Sequence, residues 1–261
     1  MLKRKEVSMP VKNKNSSGNN IARLILIIGL VSTVLFATTS CVFLPRVLRG
    51  SGNIISEERD VKDFNKVTLT GVGNLIIEQG DEESLTIEAE DNILPKIITQ
   101  VRNGELSIGF VGGITPLPTE DIKFHLKAKD LDRIALTGTG VISCSEFNTD
   151  DLEFDLSGAG EVNFKIAVDT IKTLVSGFGT IILTGDAGKQ EVKITGAGSY
   201  LAKDLISREC DVTISGAGSA TVNVSEKLNV VISGAGSVNY IGNPEISQKM
   251  TGPGSIKNIS E

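Results

Sequence analysis

The chain has no tryptophan, two tyrosines, one histidine and three cysteines among 261 residues, and aromatics make up only 4% of it. Each shortage excludes something. Without Trp and with few Tyr, the usual platform for stacking a sugar ring is missing. A single histidine, His125, leaves no second imidazole for a Ser-His or Cys-His nucleophile pair to be tested by spacing. Its neighbours Phe124 and Leu126 take the inward phase, so His125 is expected on the surface. The cysteines Cys41, Cys144 and Cys210 form neither a Cys-x-x-Cys pair nor a Cys/His cluster, which argues against zinc and against a disulfide framework. Cys144 and Cys210 fall on inward phases several repeats apart, the pattern of separate buried thiols.

Positive charge is scarce beyond the start. Through residue 41, six cations stand against Glu6, a net of +5, which leaves −11 for the rest of a chain that totals −6. An acidic body disfavours nucleic acid or anionic lipid as its main partner, because phosphate binding needs clustered Lys and Arg. With so few aromatics, the core must be built from Val, Ile, Leu and Ala, which suits thin sheet layers.

What the chain has in abundance is glycine, 28 in all, set in one recurring phrase. A hydroxyl residue precedes Gly-x-Gly at Gly138/Gly140, Gly158/Gly160, Gly177/Gly179, Gly196/Gly198, Gly216/Gly218, Gly234/Gly236 and Gly252/Gly254, and an isolated earlier copy stands at Gly71/Gly73. Between Gly138 and Gly252 the steps are 20, 19, 19, 20, 18 and 18 residues. A period this regular is a stacked repeat. Two residues before the first glycine stand Leu136, Leu156, Val175, Ile194, Ile214, Ile232 and Met250; four after it stand Ile142, Val162, Ile181, Tyr200, Ala220, Val238 and Ile256. Period 2 on both sides of a fixed glycine pair reads as strand, corner, strand. One coil cannot bury its own apolar face, but a stack of coils at strand spacing can. The fold class is therefore all-β, a parallel β-helix or solenoid of about 18–20-residue coils, expected to be right-handed from the general preference of parallel crossovers. The glycines are expected to supply positive φ and close stacking, and the small residue between them (Ala159, Ala197, Ala217, Ala235) to point inward.

The N-terminal part reads differently. Residues 1–23 are basic and polar. Leu24 to Leu44 is an uncharged, mostly apolar run long enough to span a bilayer, and its basic flank keeps the N-terminus cytoplasmic. The run contains Ala37-Thr38-Thr39-Ser40-Cys41, which resembles the lipobox of bacterial lipoproteins and makes Cys41 the lipidation candidate; Thr38 departs from that pattern. A lipoprotein signal and an uncleaved signal-anchor both satisfy the length and charge rules, and either exports the body. Residues 45–57 read as a linker and 58–261 as the repeat domain. Within it, Asn103-Gly104 marks a hairpin turn, Pro95 argues against a long helix, and residues 80–130 are expected to be a less regular opening of the same solenoid.

The membrane or lipid signal, the opening Arg59-x-Val61-x-x-Phe64-x-x-Val67 and the repeated Ser-Gly-x-Gly together resemble the bacterial GIN-domain family of autotransporter-adhesin head domains, over roughly residues 58–256. The resemblance implies a β-helical fold and a cell-envelope location, and it brings no catalytic residues.

Candidate chemistry is thin. The Gly-x-Gly phrases lack both the third glycine of a dinucleotide loop and the Gly-Lys-Ser/Thr of a phosphate loop. The turn acids Asp150, Asp169, Asp186 and Asp204 are out of register with one another, unlike a calcium-binding ladder. An enzyme acting on polysaccharide is the competing reading, with Asp151, Glu153, Asp155 and Glu161 as its acids. Asp151, Glu153 and Asp155 alternate with apolar residues as a solvent face does, and neither Asp155 nor Glu161 has an assignable partner. No cofactor, metal or catalytic residue is assigned. The hydroxyl column Thr137, Ser157, Ser176, Thr195, Ser215, Ser233 and Thr251 is expected to serve the corner structurally. The following Ser199, Ser219, Ser237 and Ser255 form the candidate binding stripe, suited to a repetitive polymer such as glycan. An envelope protein is the other candidate partner. The final coil, with Pro253 at its corner, suggests end-to-end stacking of copies, with Pro253 blunting the edge.

Overall fold

The computed structural model describes residues 46–260. The apolar run Leu24–Leu44 and Cys41 lie outside the described residues.

Eighteen strands and one 3-10 turn at Leu94–Lys96 make up the described body. In chain order they are β1 (Arg46–Arg49), β2 (Ile54–Arg59), β3 (Lys66–Leu69), β4 (Val72–Gln79), β5 (Ser84–Glu90), β6 (Ile97–Arg102), β7 (Glu105–Phe110), β8 (Ile114–Leu117) and β9 (Lys123–Ala128). Then follow β10 (Arg133–Leu136), β11 (Thr139–Leu156), β12 (Ala159–Val175), β13 (Thr180–Ile194), β14 (Ser199–Ile214), β15 (Ser219–Ile232), β16 (Ser237–Ile241), β17 (Glu245–Met250) and β18 (Ser255–Asn258). From β10 onward every pairing is parallel and each strand lies on its equivalent one repeat away. This is a β-solenoid.

Each coil turns its inward side chains in three short runs. In the coil of β14 these are Tyr200 and Ala202, then Leu205 and Ser207, then Cys210, Val212 and Ile214, all buried. The alternation slips at two bends of this coil, between Ala202 and Leu205 and between Ser207 and Cys210, and is kept across the glycine corner to Ala220. The residues two before each first glycine, from Leu136 to Ile232, are fully buried and stack over one another. The buried Phe154 and Phe164 pack edge to face with centroids 5.0 Å apart. Higher up, the core holds a polar group. The Tyr200 hydroxyl donates to Gln190 Oε1 (2.8 Å), Gln190 Nε2 donates to Ser207 Oγ (2.8 Å), and Ser207 Oγ donates to the Asn223 carbonyl (2.9 Å).

The opening is not a plain continuation of the solenoid. β3 and β4, which flank the isolated Gly71 copy, pair in parallel with β10 and β11, so this copy stacks directly on the Gly138 corner although residues 80–132 intervene. On the opposite side β3 and β4 carry β7 and β9, again in parallel. The first coil in space is therefore the second in the chain. Outside it the strands reverse: β6 runs antiparallel on β7, β5 on β9 and β2 on β5. The reversal gives the terminal edge partners that another parallel coil would only have displaced one step further. Asn103 (φ 52) and Gly104 (φ 76) form the turn of the β6–β7 hairpin, as the Asn-Gly pair predicted.

Residues 46–57, within the expected linker, are held in place. β1 pairs with β8, and β2 begins at Ile54. Between them, Ser51 Oγ donates to Asp91 (2.5 Å), Asn53 Nδ2 donates to Asp91 (3.0 Å), and the Gly52 amide donates to the buried Glu90 carboxylate (2.7 Å). Thr119 adds its amide (3.0 Å) and hydroxyl (2.5 Å) to Glu90. Burial alone pushes the Glu90 carboxyl upward, but these donors outweigh it and hold it below its ordinary value. Two acids, Glu90 at the end of β5 and Asp91 just after it, thus turn a Gly/Ser-rich stretch into a clamp.

The candidate functional surface at the glycine corner

At each corner the two glycines face the coil below and the other residues face water. A Cβ on Gly158 would overlap the Gly138 carbonyl oxygen, and the same clash repeats at Gly177, Gly196, Gly216, Gly234 and Gly252 against the preceding copy. The second glycine of the pair also faces the core. A Cβ on Gly160 would lie 2.9 Å from a methyl of Leu136, on Gly179 2.6 Å from Leu156 and on Gly198 2.5 Å from Val175. The series continues with Gly218 at 2.5 Å from Ile194, Gly236 pressed against Ile214, and Gly254 at 2.6 Å from Ile232.

These positions correct the expectation of positive φ at the corners. Left-handed φ is confined to Gly73 (143°) and Gly140 (155°) among the corner glycines. Gly160, Gly179, Gly198, Gly218, Gly236 and Gly254, the counterparts of Gly140 in the later coils, lack it, and so do all the first glycines from Gly71 to Gly252. Close stacking, more than backbone freedom, is what requires glycine here.

The same arrangement corrects the expected direction of the middle residue. Ala159, Ala197, Ala217 and Ala235 are exposed, as are Thr139, Phe178 and Pro253. With the glycines already directed at the coil below and the core, the residue between them is left to point out. The hydroxyl column beside it, Thr137, Ser157, Ser176, Thr195, Ser215, Ser233 and Thr251, is exposed as well. Its amides make the corner rungs, for example Ser215 N to Ile194 O at 2.9 Å.

The candidate stripe is in register. Ser199 pairs with Ser219, Ser219 with Ser237 and Ser237 with Ser255, and the column continues downward through Thr180 and Glu161. Ser199 Oγ and Ser219 Oγ are 3.2 Å apart. The corner thus becomes a ridge of three columns: hydroxyls, methyls, then hydroxyls again. One residue breaks its low profile. Phe178 stands 81% exposed between Ala159 below and Ala197 above.

Corner rungs run from an upper N–H to a lower carbonyl, as with Ala235 N to Gly216 O (3.1 Å). Pro253, lacking an N–H, therefore removes a rung to the coil beneath it. It takes no donor from the free edge, contrary to the expected blunting.

The acids do not converge. Asp155 accepts from Arg133 Nη2 at 2.7 Å and Glu153 lies 3.5 Å from Arg133 Nε, so Asp155 has the partner that sequence reading could not find. The missed signal is periodic. Five residues before each first glycine from Gly71 to Gly216 stand Lys66, Arg133, Glu153, Lys172, Glu191 and Asp211, and the pairing registers place them in one column. In the next column Lys189 bridges Glu191 and Asp211, each at 2.8 Å, which raises the Lys189 ammonium well above its ordinary value. Glu161 sits apart on the ridge. Among the described residues no group of three or more His, Cys, Asp or Glu is placed to hold a metal ion. His125 lies half-exposed, 3.7 Å from Glu88. Cys144 and Cys210 are free, buried thiols, and burial pushes both upward in pKa.

A parallel solenoid with a low, regular ridge and paired surface charges is a β-solenoid repeat domain. The chain is a member of the family described as "Putative auto-transporter adhesin, head GIN domain", whose model matches residues 63–244. Among solved structures, a putative adhesin from Bacteroides fragilis is 27% identical with a TM-score of 0.78, over 81% of this chain and 100% of that one. A putative lipid binding protein from Parabacteroides distasonis (23%, TM-score 0.69, 82% and 100%) and a putative adhesin from Parabacteroides merdae (19%, TM-score 0.63, 82% and 99%) share the fold. No curated protein matches the chain.

Proposed function

We propose that this protein is an envelope-anchored, non-catalytic solenoid that displays its glycine-corner ridge for adhesion or interaction outside the cytoplasmic membrane. We take the coil as right-handed, from the general preference. The anchor is the Leu24–Leu44 run or acylated Cys41, and the ligand is a glycan or another envelope component. The observation that carries the reading is Phe178, 81% exposed where the other corners from Gly138 onward carry Ala, Thr or Pro. An isolated exposed aromatic flanked by hydroxyl columns offers an apolar face for a sugar ring and polar groups at the strand repeat for its hydroxyls. The family's adhesin description supports the same direction. Of the acids that an enzyme would need, Glu153 and Asp155 are tied to Arg133 and Glu161 sits apart from them, which favours the non-catalytic reading.

The test is a glycan array probed with the wild-type chain and with Phe178→Ala, run beside a turnover assay on acidic polysaccharides. Binding that drops at least several-fold in Phe178→Ala, with no turnover, is the expected result. Turnover abolished by Asp155→Ala or Glu161→Ala would overturn it.

A second reading, assembly of copies through the C-terminal edge, is favoured by one observation. β17 is exposed along its whole length and β18 pairs only with β16, whereas the opposite end is closed by antiparallel strands. Concentration-dependent oligomers lost on substituting β17 residues with proline would support it.

A further inference from the structure

The ribbon formed by β1 and β8 stands apart from the main sheet. Their parallel register sets Val47 beside Thr115 and Arg49 beside Leu117, so these four share one face. The other face, through Leu48, packs toward the core. The shared face is open: Val47 is 61% and Leu117 55% exposed, and Val111, just before β8, is exposed too. Arg46 and Arg49 make no ion pair among the described residues. The nearby acids Glu90 and Asp91 are occupied with Ser51, Gly52, Asn53 and Thr119, while Glu120 and Asp121 lie beyond β8. An apolar face carrying the unpaired Arg49 guanidinium, with Arg46 exposed on the ribbon's other face, is the chemistry of a lipid-headgroup contact.

Chain length makes this specific. Only Pro45 separates Leu44, the end of the apolar run, from Arg46. Two residues of extended chain reach about 7 Å, and the five from Cys41 reach roughly 17 Å. With either anchor, β1 starts within the depth of a headgroup layer. We propose that the β1–β8 ribbon rests on the anionic phospholipid surface of the membrane, its Val47 and Leu117 side chains entering the headgroup boundary and Arg49 facing the phosphates. The inference rests on the anchored reading above.

The absence of native tryptophan supplies the probe. The full chain carrying Leu117→Trp is reconstituted in vesicles of phosphatidylcholine and phosphatidylglycerol, with and without brominated acyl chains. Val47→Trp serves as a second reporter on the same face and Phe178→Trp as the distal control. The expected result is blue-shifted emission for Trp at both ribbon positions, quenched by half or more by brominated lipid. Quenching falls with Arg49→Gln, and the Phe178→Trp signal is unchanged throughout. Solvent-like, unquenched emission from both ribbon reporters in a chain that floats with the vesicles overturns the inference while leaving the anchor intact. Blue-shifted emission without quenching places the face against protein and overturns it as well. A chain that does not float with the vesicles overturns the anchored reading itself.

Discussion

Replacing Gly216 by alanine isolates what the corner glycines do. Gly216 does not have left-handed φ, so the substitution adds no backbone strain of that kind. Its new methyl would lie 2.5 Å from the Thr195 carbonyl oxygen and 2.8 Å from its carbon, with the Gly196 oxygen closer still. All of these are backbone atoms and cannot rotate away. Restoring ordinary contact needs about 1 Å of extra separation between the two coils. Three rungs cross that gap: Ser215 N to Ile194 O (2.9 Å), Ala217 N to Gly196 O (3.1 Å) and Ser219 N to Gly198 O (3.1 Å). Lengthened by about 1 Å they leave hydrogen-bond range, and at roughly 1 kcal/mol each the loss is about 2–4 kcal/mol. Ala217→Ser, one residue on but pointing outward, should change stability by no more than about 0.5 kcal/mol. Because a stacked repeat opens locally, amide hydrogen exchange at Ser215, Ala217 and Ser219 reads the effect directly, with a rise of about 30-fold or more. Exchange in Gly216→Ala that matches the wild type, or that Ala217→Ser accelerates equally, would falsify the stacking argument.

Other consequences follow from the core and the clamp. Tyr200→Phe strands the buried Gln190 Oε1 and should cost about 1–3 kcal/mol in denaturant unfolding, and the added change Gln190→Leu should recover part of that loss. Asp91 is held below its ordinary pKa by the Asn53 and Ser51 side chains, and Glu90 by donors that outweigh its burial. Groups depressed in this way stabilise the clamp fully above their unfolded values, roughly pH 4, and the contribution is lost as pH falls through the lower folded values. Hydrogen exchange of residues 50–53 should therefore rise in acid, and Glu90→Gln should raise it already at neutral pH. Cys144 and Cys210, buried and shifted upward by burial, should resist thiol reagents in the native protein and react stoichiometrically in denaturant; native-state labelling of either would contradict their placement.

The repeat was legible in the sequence because its cause is local and recurs. A glycine pair at every 18–20 residues, with period-2 apolar residues on both sides, has few three-dimensional solutions, and it identified the inward faces from Leu136 to Ile232. The same alignment carried the charge column from Lys66 to Asp211, unread because charge on an outward phase looks like ordinary solvent exposure. Other features had no local signature. Why Gly160, Gly218 and Gly236 must be glycine is decided by Leu136, Ile194 and Ile214 of the coil below, and their own backbone angles do not require it. Whether Ala217 points in or out depends on which corner atoms meet that coil. The ordering of Arg49–Asn53 depends on Glu90 and Asp91, some forty residues later. The placement of the Gly71 copy beneath Gly138, with the β7–β9 coil slipped underneath and antiparallel strands closing the end, depends on pairings across the whole of residues 54–136.

By itself, then, the sequence determined the solenoid, its period and its buried columns, since stacking energy is nearly additive from coil to coil and each coil carries its own instructions. The tertiary structure alone decided the order of the first coils, the closure of one end, and which side chains the ridge presents. Those depend on contacts between segments far apart in the chain, where no periodicity marks the partner.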